Sequence, residues 1–542
     1  MHAAHASTPG GGRHPTTEMR MLRDNLRRCA EHYPDKIAFH QGERTITWSE
    51  IYRRSLALAG ALQARGVRPG DRVAILAKEC IEIYEHFFAC MIIGAVRVGV
   101  NWRYSSREML HVLKNSSVTV CVVQDKCWPL IEPRNDEFKA LSIDIIGLGV
   151  GHGFDTDYEL LIEKAPELVA TDFDENAPLL HTYTSGATAH PKAVILSHKA
   201  ILTEITYAPH YYGISANDRY YMPAQSAWVA VVGGLFGLAS GSGTIIPTDV
   251  FDVGDCVDDI NRHKATVALL VPAMIPAVLD YLKENDLSLP SLHTIAYGSA
   301  PTTPALIRRT TDTLGVNLVQ LYGMTECVAW ACFLQPDDHR RALAGEEHIL
   351  RSSGRFAAFI DYKICNDDGE EVPAGEAGVI YLKGDTIMSG YLNQPEETAG
   401  VLNADGWLKT NDIGRIDKNG FVYLLDRRNF LINTGGVNVF PAQVEAVLAE
   451  NEIVSESSVV GVPHPRWGEA VIAAIVLRNG VQLSDEDCIA QLNAHCVENL
   501  SKQECPKHFI FMNELPRTIT GKLQKRDLKL YISENVKLPW DE

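Results

Sequence analysis

The chain has 542 residues, 46% hydrophobic and 22% charged, with a formal net charge of -18 at pH 7. That length exceeds one compact core and implies two or more domains. The acidic balance excludes nucleic acid as the main partner, because phosphate backbones are met by basic faces. The twelve cysteines are scattered without a CxxC pair or a Cys/His cluster, the pattern of reduced thiols in a cytoplasmic protein. Residues 1–18 are rich in Gly, His and Ala and lack an apolar h-region, so they read as a disordered tail and not a signal peptide. The most apolar stretch, Phe87 to Val100, is broken by Gly94 and Arg97 and is too short to span a bilayer.

Thr47-Trp48-Ser49-Glu50 opens a helical run through Gln63, with Thr47 or Ser49 placed to cap it. Arg72 to Leu76 reads as a buried strand, Cys80 to Ile93 as a helix stopped by Gly94, and Val96 to Val100 as another strand. Val118 to Val123 and Ile143 to Leu148 add two more, and this alternation predicts α/β layers. Further on, Lys199 to Tyr207 and the small-residue run Ala227 to Ser240 read as helices. Thr266 to Val271, His293 to Tyr297 and Leu318 to Tyr322 read as strands; the last two run into Gly298-Ser299-Ala300-Pro301 and Gly323-Met324-Thr325-Glu326. Gly-containing turns at strand carboxyl ends suit a ligand crevice in an open sheet, although each alone reads equally as a structural turn. From Gly378 the pattern becomes short β runs. A compact α+β piece with helices at Ala442–Glu450 and Asp485–Glu498 follows a boundary near Asn429. The expected organisation is a tail at 1–18, a large domain at 19–428 and a small domain at 429–542.

Between these parts, Tyr183 to His198 reads YTSGATAHPKAVILSH and gathers Thr184, Ser185, Gly186, Thr188 and Lys192 in one short segment. Backbone N–H groups, hydroxyls and an ammonium arranged in this way can face a polyphosphate. The Walker spacing is missing, and the same residues make an ordinary surface turn. Taken alone, the two readings stand level. The apolar run Val194 to Leu196 places the loop between two sheet elements.

The signatures YTSGATAHPKA, YGSAP, LYGMTE, GWLKTND, the stretch Asp426 to Glu445, and PRTITGK occur in that order. With them the chain resembles the adenylate-forming enzymes, which include acyl- and aryl-CoA synthetases, peptide-synthetase adenylation domains and beetle luciferases. The resemblance runs from about residue 20 to 530. It implies an α/β fold with a large multi-subdomain N-terminal domain and a small mobile α+β C-terminal domain. It implies ATP, Mg²⁺ and CoA as cofactors, with Thr184, Ser185, Gly186, Thr188 and Lys192 on the phosphates. Gly298, Ser299, Ala300, Pro301, Tyr322 and Gly323 would take adenine, Tyr322 by stacking, with Asp412 and Arg427 on the ribose. Thr325 would bond the α-phosphate, Glu326 would hold the metal, and Lys522 would bridge the α-phosphate and the substrate carboxylate. Asn429 would be the hinge.

The sequence also departs from that pattern. Ala187, Ala189 and Ala193 replace a threonine and two glycines of the usual loop, which removes a hydroxyl and stiffens the backbone. Ser226 stands where many relatives carry an aromatic residue or histidine, Phe430 replaces an acid at the hinge, and Gln503-Glu504 replaces a Tyr-Lys pair. The leading expectation is activation of a carboxylic acid to acyl-AMP followed by transfer to CoA. The departures motivate an alternative, in which acyl-AMP is handed to a partner ligase or carrier protein. A non-catalytic nucleotide-binding homologue and a luciferase-type oxygenase are further alternatives, the former opposed by Glu326, Asp412 and Lys522. Ser226, Trp228, Val229, Gly233, Tyr297 and Met324 are the candidate acyl-pocket residues. The small ones read either as room for a bulky acyl group or as tight helix packing. A bulky hydrophobic, polycyclic or aromatic acid of secondary metabolism is the expected substrate, and a homodimer is the family-level expectation.

Overall fold

The computed structural model describes residues 21–540, except 152, 185–190, 248–250, 301, 367, 428–429, 436, 479 and 518–522, and only the backbone of 427 and 438. Two large sheets carry the N-terminal part. The seven-stranded sheet is parallel from Pro178–Thr184 through Val96–Val100, Arg72–Leu76 and Val120–Gln124 to Asp144–Leu148, with Lys192–Ser197 and Gly390–Tyr391 antiparallel at one edge. The nine-stranded sheet has a parallel centre of Asn317–Tyr322, Thr294–Gly298, Val267–Leu269, Arg219–Tyr221 and Gly243–Ile245. Its order steps from Arg219–Tyr221 to neighbours on both sides, which makes that strand the topological switch point.

Alternation along the strands explains the layering. Val73 and Ile75 face the same core as Tyr220, Met222, Ala296 and Val319 of the other sheet, with the helices Trp48–Ala64, Glu82–Ile93 and His198–Tyr212 between the sheets. Ala74, Leu76, Val98 and Val100 face a second core, and Tyr221, Ala268, Ile295 and Tyr297 a third. Helix Trp48–Ala64 begins where expected, because the Thr47 side chain accepts from the Glu50 N–H and caps it. It buries Trp48, Ile51, Ser55, Leu58 and Leu62, a stripe at helical spacing. Helix Glu82–Ile93 is buried on every side and ends on Gly94 at φ 72°, in the left-handed conformation. The expected helix over Ala227–Ser240 is instead a 3₁₀ segment, Val229–Leu235, followed by the short helix Gly237–Ser240. Gly233, Gly234, Gly237 and Gly241 give too little propensity for a continuous α-helix. Among the described residues no helix is long and apolar enough to cross a membrane.

A four-stranded antiparallel sheet containing Leu408–Ile416 and Val422–Arg427 leads to the C-terminal sheet. There Val454–His464 and Gly468–Leu477 form a long hairpin, extended by Ile432–Thr434, Val437–Val439 and the parallel strand His508–Phe511. Two helices against this sheet are pinned by a mostly buried pair. Lys525 Nζ lies 2.8 Å from Glu445 Oε1, and the same oxygen accepts from the Val459 N–H at 2.6 Å. Burial pushes the Glu445 carboxyl up, and Lys525 opposes that shift. Lys525→Met should therefore lower the stability of the C-terminal part by about 3 kcal/mol, the cost of leaving a buried charge unpaired. Denaturant melts of the full chain should show it, and the double variant with Glu445→Gln should recover most of the loss.

Candidate active site

The carboxyl ends of the parallel strands arrive at one edge of the nine-stranded sheet. Arg219–Tyr221 leads into Pro223 to Trp228, Thr294–Gly298 into Ser299-Ala300, and Asn317–Tyr322 into Gly323 to Glu326. The last two strands pair with Gly298 opposite Leu321, so their turns start side by side. Ser299 and Ala300 are exposed there, and Gly323 to Glu326 are partly exposed. Gly323 has a steric reason: a Cβ on it would lie 1.9 Å from the Ala329 carbonyl oxygen, because the chain folds straight back. That return is closed by Ala329 N–H to Met324 O at 3.1 Å and Ala331 N–H to Tyr322 O at 2.8 Å. The edge also holds strained backbone, with Ser299 at φ 68°, Val328 at 60° and Ala329 at 110°. Such conformations persist only where surrounding structure over-determines them.

Tyr322, buried at the end of its strand, donates its hydroxyl to Asp412 Oδ2 at 2.7 Å. Burial and the neighbouring carboxylate push that phenol well up, so it stays a donor. Asp412 pairs in register with Arg427 on the next strand. Next to Arg427, Asp426 Oδ2 accepts from the Ala442 N–H at 2.8 Å, at the start of helix Pro441–Ala449.

The segment from Thr184 to Lys192 connects two antiparallel strands, with Thr184 opposite Lys192 at its base, as its flanking apolar runs suggest. Lys192 forms an ion pair with Glu397, and its Nζ lies 5.7 Å from the Tyr391 ring centroid. Tyr391 in turn donates to Glu326 Oε1 at 2.8 Å. Tyr391, which sequence reading did not single out, thus joins Lys192 and Glu326 in one continuous contact chain. Among the described residues no three His, Cys, Asp or Glu side chains gather as a metal cluster. A cation beside Glu326 would be held by this one carboxylate together with phosphate oxygens, which is how Mg²⁺ is commonly bound. The loop residues Ser185, Gly186 and Thr188, and likewise Pro301, Asn429, Lys522 and the Arg427 side chain, lie outside the described residues.

The crevice wall differs from expectation at two positions. Tyr297 packs into the third core, and its hydroxyl meets His339 Nε2 at 2.8 Å. Strand alternation turns it away from the crevice and puts Ala296 on the other face. Ser226 is 1% exposed and faces inward. Its N–H and Oγ both donate to Glu79 Oε1, at 3.0 and 3.1 Å, while its carbonyl accepts from Arg97 Nη2 at 3.0 Å. Trp228, Val229, Gly233 and Met324 are partly exposed.

The one sign of the Glu79–Ser226–Arg97 clamp legible beforehand is a charged residue, Arg97, inside an apolar strand. The Arg97 guanidinium sits 5.7 Å from the Phe87 ring centroid. Gly99 makes room for it: a Cβ there would lie 2.9 Å from Arg97 Nη1 and 2.7 Å from the Ala227 carbonyl oxygen.

These strand ends and their strained turns define an open-sheet α/β enzyme built around a crevice. Comparison with known proteins gives the family. A family model described as AMP-binding enzyme matches residues 26–392, and one described as AMP-binding enzyme C-terminal domain matches 443–522. The chain belongs to the AMP-binding, adenylate-forming enzymes, on their acyl- and aryl-CoA synthetase branch. It is 31% identical to a fatty acid–[acyl-carrier-protein] ligase of Streptomyces coeruleorubidus, over 92% of this chain and 94% of that protein. It is also 31% identical to an indoleacetate–CoA ligase of Aromatoleum aromaticum, over 92% and 96%. Among solved structures it resembles the Bacillus subtilis o-succinylbenzoate CoA synthetase with its acyl-adenylate, at TM-score 0.80 and 28% identity over 93% of this chain and 97% of that one. It also resembles an amide bond synthetase from Marinactinospora thermotolerans, at TM-score 0.82 and 27% identity over 94% and 99%.

The clamp generates a pH prediction. Burial pushes the Glu79 carboxyl up to about 7 from 4.5, against the lowering pull of Ser226 and Arg97. The folded state therefore holds a proton that the unfolded chain releases, and stability falls as pH rises from about 4.5 to about 7. Thermal melts of Glu79→Gln should lack that fall, with a gain over wild type approaching about 3 kcal/mol above pH 7.

Proposed function

We propose that this protein activates a carboxylic acid with ATP and then transfers the acyl group to CoA. The observation that carries the reading is the convergence at one edge of Thr325, Glu326, Tyr322–Asp412 and Lys192, the last joined to Glu326 through Tyr391. In the first step a substrate carboxylate oxygen bonds to the α-phosphorus, the bond to the β-phosphate bridging oxygen breaks, and pyrophosphate leaves. An anion approaches an anion, so positive charge must be positioned beforehand.

Lys192 and Thr184, with Ser185, Gly186 and Thr188, would hold the leaving phosphates. Release of Lys192 from Glu397 would accompany nucleotide entry. Gly298, Ser299, Ala300, Pro301, Tyr322 and Gly323 would bound the adenine. The Tyr322 hydroxyl orients Asp412, leaving its carboxylate to receive the ribose hydroxyls beside Arg427. Thr325 would donate to the α-phosphate, and Lys522 would bridge it to the acid. A bound Mg²⁺ supplies charge neutralisation on the phosphates, and Glu326, fixed by Tyr391, is the residue that would hold it.

In the second step the CoA sulfur attacks the acyl carbon and AMP departs. Residues 429–542 would turn about Asn429 between the two steps. CoA as acceptor is supported by the indoleacetate–CoA ligase and o-succinylbenzoate CoA synthetase among the relatives. Those relatives also favour an aryl or cyclic acid.

Product analysis from ATP, Mg²⁺ and a panel of aryl, cyclic and fatty acids, run with and without CoA, tests the reading. Acyl-CoA with AMP is the expected result. Acyl-AMP unchanged by CoA would overturn the second step and leave the first. Lys522→Ala should slow acyl-AMP formation by roughly 10²–10³-fold while the thermal melt stays that of wild type.

A further inference from the structure

Behind the crevice wall lies a group of buried polar side chains that the adenylation chemistry does not use. Glu204 is 0% exposed, and among the described residues neither carboxylate oxygen has a well-formed hydrogen bond. The Tyr212 and Tyr220 hydroxyls are likewise buried without a well-formed hydrogen bond, each being the other's polar neighbour and the Trp330 side chain a further one for Tyr212. Native structures seldom leave such groups unmet without a reason, such as a bound water or ligand.

Their arrangement points toward the substrate side. Glu204, Ala208 and Tyr212 stand one above another on helix His198–Tyr212, all buried. Only the methyl group of Ala208 stands between the carboxyl and the tyrosine along that face, and a helical tyrosine leans back toward the helix N-terminus, here toward Glu204. The Tyr212 and Tyr220 rings meet edge-on at 5.8 Å. Two partly exposed crevice residues cover the group. The backbone N–H of Trp330 is the polar neighbour of Glu204. At Gly233 a Cβ would lie 3.8 Å from the Tyr220 hydroxyl, so the absent side chain leaves that hydroxyl next to the crevice.

We propose that the acyl crevice ends in this polar group, and that Glu204, with Tyr212 and Tyr220, selects an acid bearing a keto or hydroxyl oxygen at the end remote from its carboxylate. The proposal rests on the acid-activating reading above and narrows its substrate class. Burial pushes the Glu204 carboxyl well up, which favours its protonated, donating form beside two phenolic donors. That set matches an uncharged acceptor oxygen, whereas a purely apolar acyl end would leave the Glu204 carboxyl unmet.

ATP–pyrophosphate exchange on the full chain, using matched acids, tests this. Suitable pairs are phenylpropanoic against para-hydroxyphenylpropanoic acid, and cyclohexanepropanoic acid against its ring ketone. Wild type should favour the oxygenated member of a pair by roughly tenfold or more in kcat/KM, because a site built to bond an oxygen rejects the analogue lacking it. Glu204→Leu should erase the preference while retaining exchange with the deoxy acid, and Glu204→Gln should keep part of it. Equal use of both members by wild type, or a preference that survives Glu204→Leu, overturns the proposal and leaves acid activation standing. If Glu204→Leu does not fold, Tyr212→Phe must shift the ratio, and an unchanged ratio there overturns it too. No exchange with any acid refutes the acid-activating reading itself, and this inference falls with it.

Discussion

A parallel sheet delivers every strand's carboxyl end to the same edge, and this constraint organises the whole N-terminal part. The chain must leave each strand there and return through a helix, so its turns accumulate along one line. In the nine-stranded sheet that line carries Pro223 to Trp228, Ser299-Ala300 and Gly323 to Glu326. The residues concerned are far apart in sequence but emerge from neighbouring strands. The tight return over Gly323 and the left-handed residues Ser299, Val328 and Ala329 follow from fitting several turns into one narrow edge.

The second sheet contributes differently. Its antiparallel edge pairs Pro178–Thr184 with Lys192–Ser197, and Gly390–Tyr391 pairs beside the latter. Tyr391 therefore reaches both Lys192 of that strand and Glu326 of the other sheet's turn. The Met388 N–H also donates to the Glu326 carbonyl at 2.9 Å. The two sheets are thus joined at the crevice by hydrogen bonds as well as by the apolar core beneath, and the position of Glu326 depends on both.

Much of this was legible in the sequence wherever one local rule dominated. Arg72–Leu76 and Val96–Val100 are apolar runs of strand length and appear at the expected residues. The Thr47 cap and the Gly94 stop mark helix ends through backbone chemistry that needs no tertiary partner. The ordered signatures identified the family. Legibility failed where a side chain's direction depends on a distant partner. Tyr297 adjoins the YGSAP turn yet points to His339, forty-two residues later. Ser226 sits in the crevice segment yet turns inward to Glu79, which lies 147 residues away. The run Ala227–Ser240 has composition enough for close packing but too many glycines for an α-helix, and only the surrounding core decides between those outcomes.

Arg97 and Gly99 lie two residues apart on one strand and share a face. A side chain at 99 would collide with both the guanidinium and the Ala227 backbone. A shorter residue at 97 would strip the Ser226 carbonyl of its donor and take the neighbouring positive charge from Glu79. Neither position can drift alone without a penalty to the crevice wall. Descendants of this sequence should therefore change the two together or not at all, and Glu79 should travel with them as the third member of a single heritable unit.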